Sequence, residues 1–470
     1  MTDKKFSFQC VFVSLLLLSG VLGCQTDKKA EQKELKPKLN ISENRRFFTD
    51  ENGKPFFWLG DTGWLLFSKL DRQEAIKYLD DRQKKGFNVI QVMILHSLKF
   101  ADAYGDSALV NKNVARPYIK EGISTDSSQD DYWDHVDFIV DEAGKRGIFM
   151  AMVPVWGNNV KSGRVSRDDA KTYASWLADR YKNKRNIIWL NGGDIMGTDS
   201  TETWKIIGNT LKAKDPNHLV TFHPFGRRQS SAWFHDEPWL DFNMFQSGHR
   251  DYAQDIDSNS LKFGEDNWRY IQDDYSKTPV KPTLDGEPSY EGIPHGLHDP
   301  NQPLWTADDV RRYAYWSVFA GGSGFTYGNS AVMQMLKPTD NKSSYGAKSY
   351  WYDEINAPGA SQMIFLKNLM LSKSYFDRIP DQSLIADNGE KYNRIVATRG
   401  KDYVFAYTYN GRNFKVNLGT ISGEKIKASW YNPRNGKNAE IGDFDNQGVK
   451  EFDPPGNLKN GNDWVLVLSH

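Results

Sequence analysis

The chain has 470 residues with 60 basic and 60 acidic side chains, so its formal net charge at pH 7 is zero. Phosphate binding needs a concentrated basic surface, so this balance argues against a nucleic-acid partner. The 15 tryptophans exceed what a plain core requires, and because Trp faces stack on sugar rings they point mildly to carbohydrate.

The first 44 residues predict export and anchoring rather than packed structure. Lys4 and Lys5 precede an apolar run, Val11–Leu18, that is too short to span a bilayer. Gly23-Cys24 follows, as in a bacterial lipoprotein processing site, so residues 1–23 are predicted to be a signal peptide and Cys24 the lipidated first residue. An ordinary signal peptide that contains Cys24 is the alternative. The charged stretch 24–44 is predicted to be a flexible tether, and we expect the protein at the cell envelope, lipid-anchored to the outer membrane on either face.

The processed chain is predicted to contain two domains. Its only cysteine would be Cys24, so no disulfide contributes to stability. About 445 residues exceed what one hydrophobic core usually covers. Short apolar runs alternate with amphipathic helical stretches over residues 45–380, whereas residues 381–470 show only short alternating runs.

Eight apolar runs have the length and hydrophobicity of strands that are buried on both faces. They are Pro55–Leu59, Asn88–Leu95, Ile148–Trp156, Asn186–Asn191, His218–His223, Asp241–Gln246, Val280–Leu284 and Gly324–Tyr327. Helical stretches separate most of them, and in Arg167–Tyr181 the apolar residues form one stripe at helical spacing. The other predicted helices are Asp71–Lys85, Asp131–Lys145, Glu202–Lys214, Thr306–Ala320 and Gly359–Leu371.

Alternating strands and helices are compatible with a closed barrel or an open doubly wound sheet. No glycine-rich phosphate loop follows the first strand, whereas polar and aromatic residues stand at the carboxyl end of nearly every strand. In a barrel these ends form one mouth, where the active site of that fold is built. The predicted fold class is therefore α/β, a (β/α)8 TIM barrel followed by a small antiparallel β-sandwich.

The strand ends supply the candidate site residues. A single histidine at a strand end is more often structural than catalytic, but eight strands that each bring a polar or aromatic group to one rim indicate a binding site. The candidate substrate-binding residues are Asp61, Trp64, His96, Trp156, Asn191, His223, Gln246, Glu291 and Tyr327.

Asp194 and Glu287 form the most informative pair, because they follow the fourth and the seventh apolar run. Hydrolysis of a glycosidic bond needs a protonated acid at the leaving oxygen and a second carboxylate at the anomeric carbon. Gly192 and Gly193 permit a tight turn before Asp194, and Pro288 stiffens the turn after Glu287. The alternative is two solvated or helix-capping acids.

Several segments occur in the order and context of one known family. They are Arg46–Phe48, Gly53–Trp64 (GKPFFWLGDTGW), Gly86–Gln91 (GFNVIQ), Trp189–Asp194 (WLNGGD) and Asp285–Glu291 (DGEPSYE). From Asn44 to about Pro380 the chain resembles the apiosidase-like catalytic domain of glycoside hydrolase family 140.

The resemblance implies a retaining glycosidase that releases apiose from side chains of the pectin rhamnogalacturonan II. Matched position by position, Asp194 corresponds to the acid/base and Glu287 to the nucleophile. Retention predicts a separation of roughly 5 to 5.5 Å between their carboxyl groups. Many related barrel glycosidases carry Asn-Glu at the end of strand four, whereas here the acid is the shorter Asp194, with Asn191 three residues earlier.

Residues 381–470 resemble a small β-sandwich that often follows this catalytic domain and is labelled as collagen-binding, although the label is not evidence of collagen binding. Four runs alternate as strands of such a sandwich should. They are Tyr403–Tyr409, Phe414–Leu418, Lys425–Tyr431 and Trp464–Leu468. A structural domain packed on the barrel is favoured over an independent binding module.

Other functions have less support. A surface sugar-binding lipoprotein with a decayed site is opposed by the presence of both acids, and a glycosidase of different sugar specificity stays open. A peptidase or matrix-binding protein lacks support because neither His-Glu-x-x-His nor Gly-x-Ser-x-Gly occurs. The stretch with His295, His298 and Asp299 has loop composition, so neither metal nor cofactor is predicted. The expected partners are an oligosaccharide or polysaccharide and, through the lipid anchor only, a membrane.

Overall fold

The computed structural model describes residues 38–120, 130–255 and 263–470. The predicted signal peptide, Cys24 and the tether up to residue 37 lie outside the described residues. Part of the predicted tether is ordered: Leu39 and Ser42 are buried, and Asn40–Ile41 pairs antiparallel with Phe48–Thr49, which in turn pairs with Pro55–Phe56. Across the described ranges, no helix combines the length and apolarity that a membrane crossing would need.

Within the described residues, eight parallel strands form the barrel. They are β1 (Trp58–Thr62), β2 (Val89–Met93), β3 (Phe149–Val153), β4 (Ile187–Ile195), β5 (Val220–Pro224), β6 (Asn243–Gln246), β7 (Thr283–Asp285) and β8 (Gly324–Tyr327). The hydrogen-bonded order is β5-β4-β3-β2-β1-β8-β7-β6, and a short strand, Arg228–Gln229, pairs antiparallel with β6. The barrel is nearly closed, because the Asp241 amide donates to the Val220 carbonyl at 2.8 Å between β5 and β6.

Seven helices of nine or more residues cover the barrel in the described part of the chain. They are α1 (Arg72–Lys84), α2 (Tyr132–Lys145), α3 (Arg167–Tyr181), α4 (Thr201–Lys214), α5 (Asn267–Tyr275), α6 (Ala307–Phe319) and α7 (Pro358–Leu371). Short helical turns lie at Leu66–Lys69, Val110–Lys112, Gly157–Lys161, Ser231–Phe234, Ser330–Met333, Trp351–Glu354, Gln382–Leu384 and Lys391–Asn393. Each of the seven follows one strand, and β5 is followed only by the single turn Ser231–Phe234.

Local sequence explains where these helices begin and which face they bury. At the start of α1 the Asp71 carboxylate accepts from the Glu74 amide, and Glu74 accepts from the Asp71 amide in return, which is a capping box. The predicted apolar stripe of α3 is buried against the sheet. The sequence did not predict α5, because that helix is short and buries the polar side chains Asn267 and Asp274 beside Tyr270 and Ile271.

The C-terminal domain contains eight strands in two antiparallel sheets of the described residues. They are β9 (Ile379–Pro380), β10 (Ile395–Arg399), β11 (Tyr403–Thr408), β12 (Phe414–Asn417), β13 (Lys425–Tyr431), β14 (Asn438–Asp445), β15 (Val449–Phe452) and β16 (Trp464–Ser469). The larger sheet has the order β9-β10-β11-β16-β13-β14, and β12 pairs with β15. The predicted α/β barrel followed by an antiparallel domain is confirmed.

One strand links the two cores because of its alternating side chains. Phe405 and Tyr407 of β11 pack in the barrel's aromatic core, whereas Val404 and Ala406 between them pack inside the C-terminal domain. The Tyr407 ring stacks on Tyr315 of α6 with centroids 4.8 Å apart. The C-terminal domain is therefore bound to the barrel over an apolar surface.

A buried ion pair fastens this interface. Both oxygens of the buried Asp463 accept from the Arg311 guanidinium at 2.9 Å, and Arg434 donates to the same carboxylate at 2.9 Å. Arg311 also contacts the half-exposed Asp308. The interface carboxylate therefore holds two arginines, one from each domain.

Replacing Asp463 by alanine should lower the free energy of unfolding by about 3 to 5 kcal/mol, because it leaves the buried Arg311 charge without its main partner. The matched control, Asp308→Asn, removes an exposed contact of the same arginine and should cost at most ~1 kcal/mol. Urea unfolding followed by tryptophan fluorescence measures both. Equal losses in the two variants would show that the buried pair does not fasten the domains.

Candidate active site

A cavity of about 450 Å³ opens where the carboxyl ends of the barrel strands meet. Its volume lies within the ~300 to 1,000 Å³ that is usual for small-molecule sites. Asp194 and Glu287 both line it, together with Trp64, Trp156, His249 and Tyr290. The two acids predicted from sequence therefore face one cavity.

Asp194 reaches this cavity through a bulge near the end of β4. The register with β5 shifts between Gly192 and Ile195, and the φ angles of Gly192, Gly193 and Asp194 are 90°, 102° and 47°. A Cβ on Gly193 would lie 2.6 Å from the Trp156 ring, so only glycine fits there. The bulge redirects the chain and points Asp194 at the mouth of the barrel.

Glu287 lies just after β7, between two imidazoles. His249 Nε2 lies 3.2 Å from its Oε1, and His223 Nε2 lies 3.2 Å from its Oε2. The Asp194 amide donates to His223 Nδ1 at 3.3 Å. Because a backbone N–H can only donate, Nδ1 accepts this hydrogen bond, and Nε2 is the ring nitrogen that lies beside Glu287.

These surroundings give the two acids opposite protonation states. Burial opposes ionisation of Glu287, but the imidazoles of His223 and His249 lower its pKa to about 2. Burial and the adjacent charge of Glu287 raise the pKa of Asp194 to about 6, although the same imidazoles act in the other direction. At mildly acidic pH the site therefore contains a protonated Asp194 and an ionised Glu287.

Further contacts hold His249 beside Glu287. The His249 carbonyl accepts from the Gly296 amide at 2.7 Å and from Trp305 Nε1 at 3.1 Å. The Tyr290 ring lies edge-on to His249, with centroids 4.8 Å apart, and its hydroxyl accepts from Trp64 Nε1 at 3.1 Å. His249 is thus fixed from its backbone and from its ring.

Several predicted substrate-binding residues lie at this site. Trp64, His96, Trp156 and Gln246 line the cavity. His223 does not line it and lies behind Glu287 instead, with its ring 5.2 Å from Trp64 and perpendicular to it. The structure thus assigns His223 a contact with a catalytic candidate rather than with the cavity.

Four predicted substrate-binding residues, Asp61, Asn191, Glu291 and Tyr327, do not line the cavity. Asp61 is fully buried and accepts from Arg82 Nε at 2.5 Å and from the Tyr78 hydroxyl at 2.6 Å. The Tyr327 hydroxyl donates to Glu291 at 2.6 Å, so these two satisfy each other. Asn191 donates to the Trp204 carbonyl and accepts from the Gly192 amide, which secures the start of the bulge.

His249 and Tyr290 also line the cavity, although neither is among the predicted substrate-binding residues. A signal existed for each, since His249 stands three residues after β6 and Tyr290 follows Glu287 in the DGEPSYE segment. Among the residues that the structure describes, no cluster of three or more His, Cys, Asp or Glu is arranged to hold a metal ion. His295 instead contacts Asp251 at 2.9 Å and stacks on Trp305.

Comparison with known proteins agrees with this geometry. The family model described as "Apiosidase-like, catalytic domain" matches residues 42–377, and one described as a collagen-binding domain of a collagenase matches residues 379–469. A solved structure described as "Glycoside hydrolase" is 48% identical over 92% of this chain and 96% of its own, with a TM-score of 0.87. A glycoside hydrolase family 5 structure from Bacteroides vulgatus ATCC 8482 is 46% identical over 92% and 93%, also with a TM-score of 0.87.

Comparison with curated proteins gave no match. The catalytic-domain model covers well over half of the chain, and the two solved structures align over nearly all of it. The chain belongs to the apiosidase-like catalytic domain family and is a glycoside hydrolase that acts on a carbohydrate.

Proposed function

We propose that this glycoside hydrolase is a retaining enzyme of family 140 that acts on pectic polysaccharide of plant cell walls and releases apiose from rhamnogalacturonan II side chains. The observation that carries the proposal is the pairing of a protonated Asp194 with an ionised Glu287 in one cavity. The apiosidase-like family supports the choice of sugar.

In the first step, a carboxylate oxygen of Glu287 attacks the anomeric carbon while Asp194 gives its proton to the glycosidic oxygen. The bond between that oxygen and the anomeric carbon breaks, the leaving alcohol departs, and a glycosyl ester forms on Glu287. In the second step, Asp194 takes a proton from water as the water oxygen attacks the anomeric carbon. The ester bond breaks, and both acids return to their starting states.

The pair also accounts for the change in the role of Asp194 between the steps. The charge of Glu287 is one cause of the raised pKa of Asp194. That charge disappears when Glu287 becomes an ester, so the pKa of Asp194 falls just when it must act as a base. Formation of the ester therefore converts Asp194 from a general acid into a general base.

The imidazoles of His223 and His249 favour the ionised, attacking form of Glu287. Each oxygen of Glu287 has one imidazole Nε2 at 3.2 Å, that of His249 at Oε1 and that of His223 at Oε2. These contacts orient the carboxylate and keep it charged.

Incubation of the purified protein with rhamnogalacturonan II oligosaccharides should release apiose, and the sugar first formed should have the anomeric configuration of the substrate. Chromatography identifies the monosaccharide, and NMR at early times gives its configuration. Release of another pectic sugar would contradict the apiose assignment, and an inverted first product would contradict the covalent intermediate.

Replacing Glu287 by glutamine should lower kcat by at least about 10³-fold, because the amide is a poor nucleophile. The matched control is Glu291→Gln, four residues away, whose carboxylate is bonded to Tyr327 and does not line the cavity. This control should keep kcat within a few-fold, because an amide still accepts from Tyr327. Comparable losses in both variants would remove Glu287 from its assigned role.

The pH dependence of kcat/KM follows from the two pKa values. Activity requires ionised Glu287, with a pKa of about 2, and protonated Asp194, with a pKa of about 6. The rate constant should therefore be highest below pH 6 and fall about tenfold per pH unit above it. The Asp194→Asn variant should have a much lower kcat/KM that no longer falls above pH 6. A wild-type kcat/KM that rises through pH 6 would refute the assignment.

A further inference from the structure

The mouth of the cavity has two exposed aromatic rings that the mechanism above does not use. Phe225, directly after β5, is 45% exposed, and Tyr345, in the segment after β8, is 39% exposed. Both line the cavity that holds Asp194 and Glu287. Since β5 and β8 lie three strands apart in the barrel order, the rings come from different arcs of the rim.

Phe225 is fixed beside the general acid. Its amide donates to the Ile195 carbonyl at 2.9 Å, one residue beyond Asp194. The next amide, that of Gly226, is hydrogen-bonded to Asp194. The turn that carries Phe225 is therefore hydrogen-bonded to the backbone directly after Asp194 and to Asp194 itself.

Tyr345 is held in place by a buried glutamine. The Ser344 amide donates to Gln334 Oε1 at 2.7 Å, and Gln334 Nε2 donates to the Ser344 carbonyl at 3.0 Å. Tyr345 itself has a φ of +52°, a left-handed conformation that a bulky side chain rarely adopts. Strain of this kind persists where the surrounding structure fixes a residue, and it is frequent at ligand sites.

Tyr345 also lies within electrostatic range of both acids. Besides burial, the charge of Asp194 raises the pKa of its hydroxyl more than the charge of Glu287 does. The His298 ring lies 5.8 Å from the Tyr345 ring. Phe225 is thus fixed to the strand that carries Asp194, and Tyr345 lines the same cavity from another arc of the rim.

We infer that Phe225 and Tyr345 form the subsite for the leaving group, in which the sugar ring beyond the cleaved bond stacks on aromatic faces. The inference rests on the proposed role of Asp194, because the acid protonates the leaving oxygen and the leaving sugar must lie on its side. Its ligand is a sugar ring with an apolar C–H face, which an aromatic side chain binds without needing charge.

The test compares two substrates that share the released sugar: a rhamnogalacturonan II oligosaccharide and apiosyl fluoride, whose leaving group is too small to fill a sugar subsite. Phe225→Ala and Tyr345→Ala should each lower kcat/KM for the oligosaccharide about tenfold. For the fluoride, kcat/KM should stay within about twofold of wild type. Tyr345→Phe keeps the ring and should match wild type on both substrates.

Tyr350→Ala is the matched control, since Tyr350 is 38% exposed in the same segment but does not line the cavity, and it should leave both rate constants unchanged. Equal losses on both substrates, or no loss on the oligosaccharide, would overturn the subsite. If the wild-type enzyme releases a different sugar, the apiose proposal fails by itself. The comparison then uses the oligosaccharide that is cleaved and the fluoride of the sugar released.

Discussion

The site depends on keeping one buried carboxyl ionised beside another that stays protonated. Glu287 keeps its charge because two imidazole nitrogens each approach one of its oxygens at 3.2 Å. Burial and that charge together raise the pKa of Asp194, so the protonation states of the two carboxyls are coupled. Loss of the imidazoles would therefore change the pKa values of both acids. The residues that contact His223 and His249 matter because they hold these rings in position.

The C-terminal domain contacts the segment between β6 and α5, which carries His249. His249 precedes Asp251, which contacts His295, while the Gly296 amide binds the His249 carbonyl. Farther along, the buried Glu265 accepts from the Tyr252 amide and from the Tyr392 hydroxyl of the C-terminal domain, both at 2.9 Å. The domain therefore packs against the segment that carries His249, which agrees with a structural role for it.

The sequence predicted the eight barrel strands and the acid pair because burial on both faces and position after a strand leave local signals. It misplaced Asp61, because the predicted first strand ended at Leu59, whereas β1 continues to Thr62 and Asp61 within it pairs inward with Arg82. The roles of His223 and His249 depend on ring nitrogens that meet Glu287 across three strands, and no local pattern encodes that. Strand β14 escaped prediction because it is almost fully exposed and has no apolar alternation.

The aspartate at the end of β4, where many related enzymes have a longer glutamate, is explained by the bulge. Left-handed angles at Gly192 and Gly193 carry the backbone toward the cavity, so a short side chain suffices. The same turn aims the Asp194 amide at His223 Nδ1. One residue thus supplies the acid through its side chain and, through its backbone, fixes which nitrogen of His223 faces Glu287. A glutamate on a regular strand would provide the carboxyl but would lose that backbone contact. One turn would then no longer position both the acidic side chain and the His223 ring that contacts Glu287.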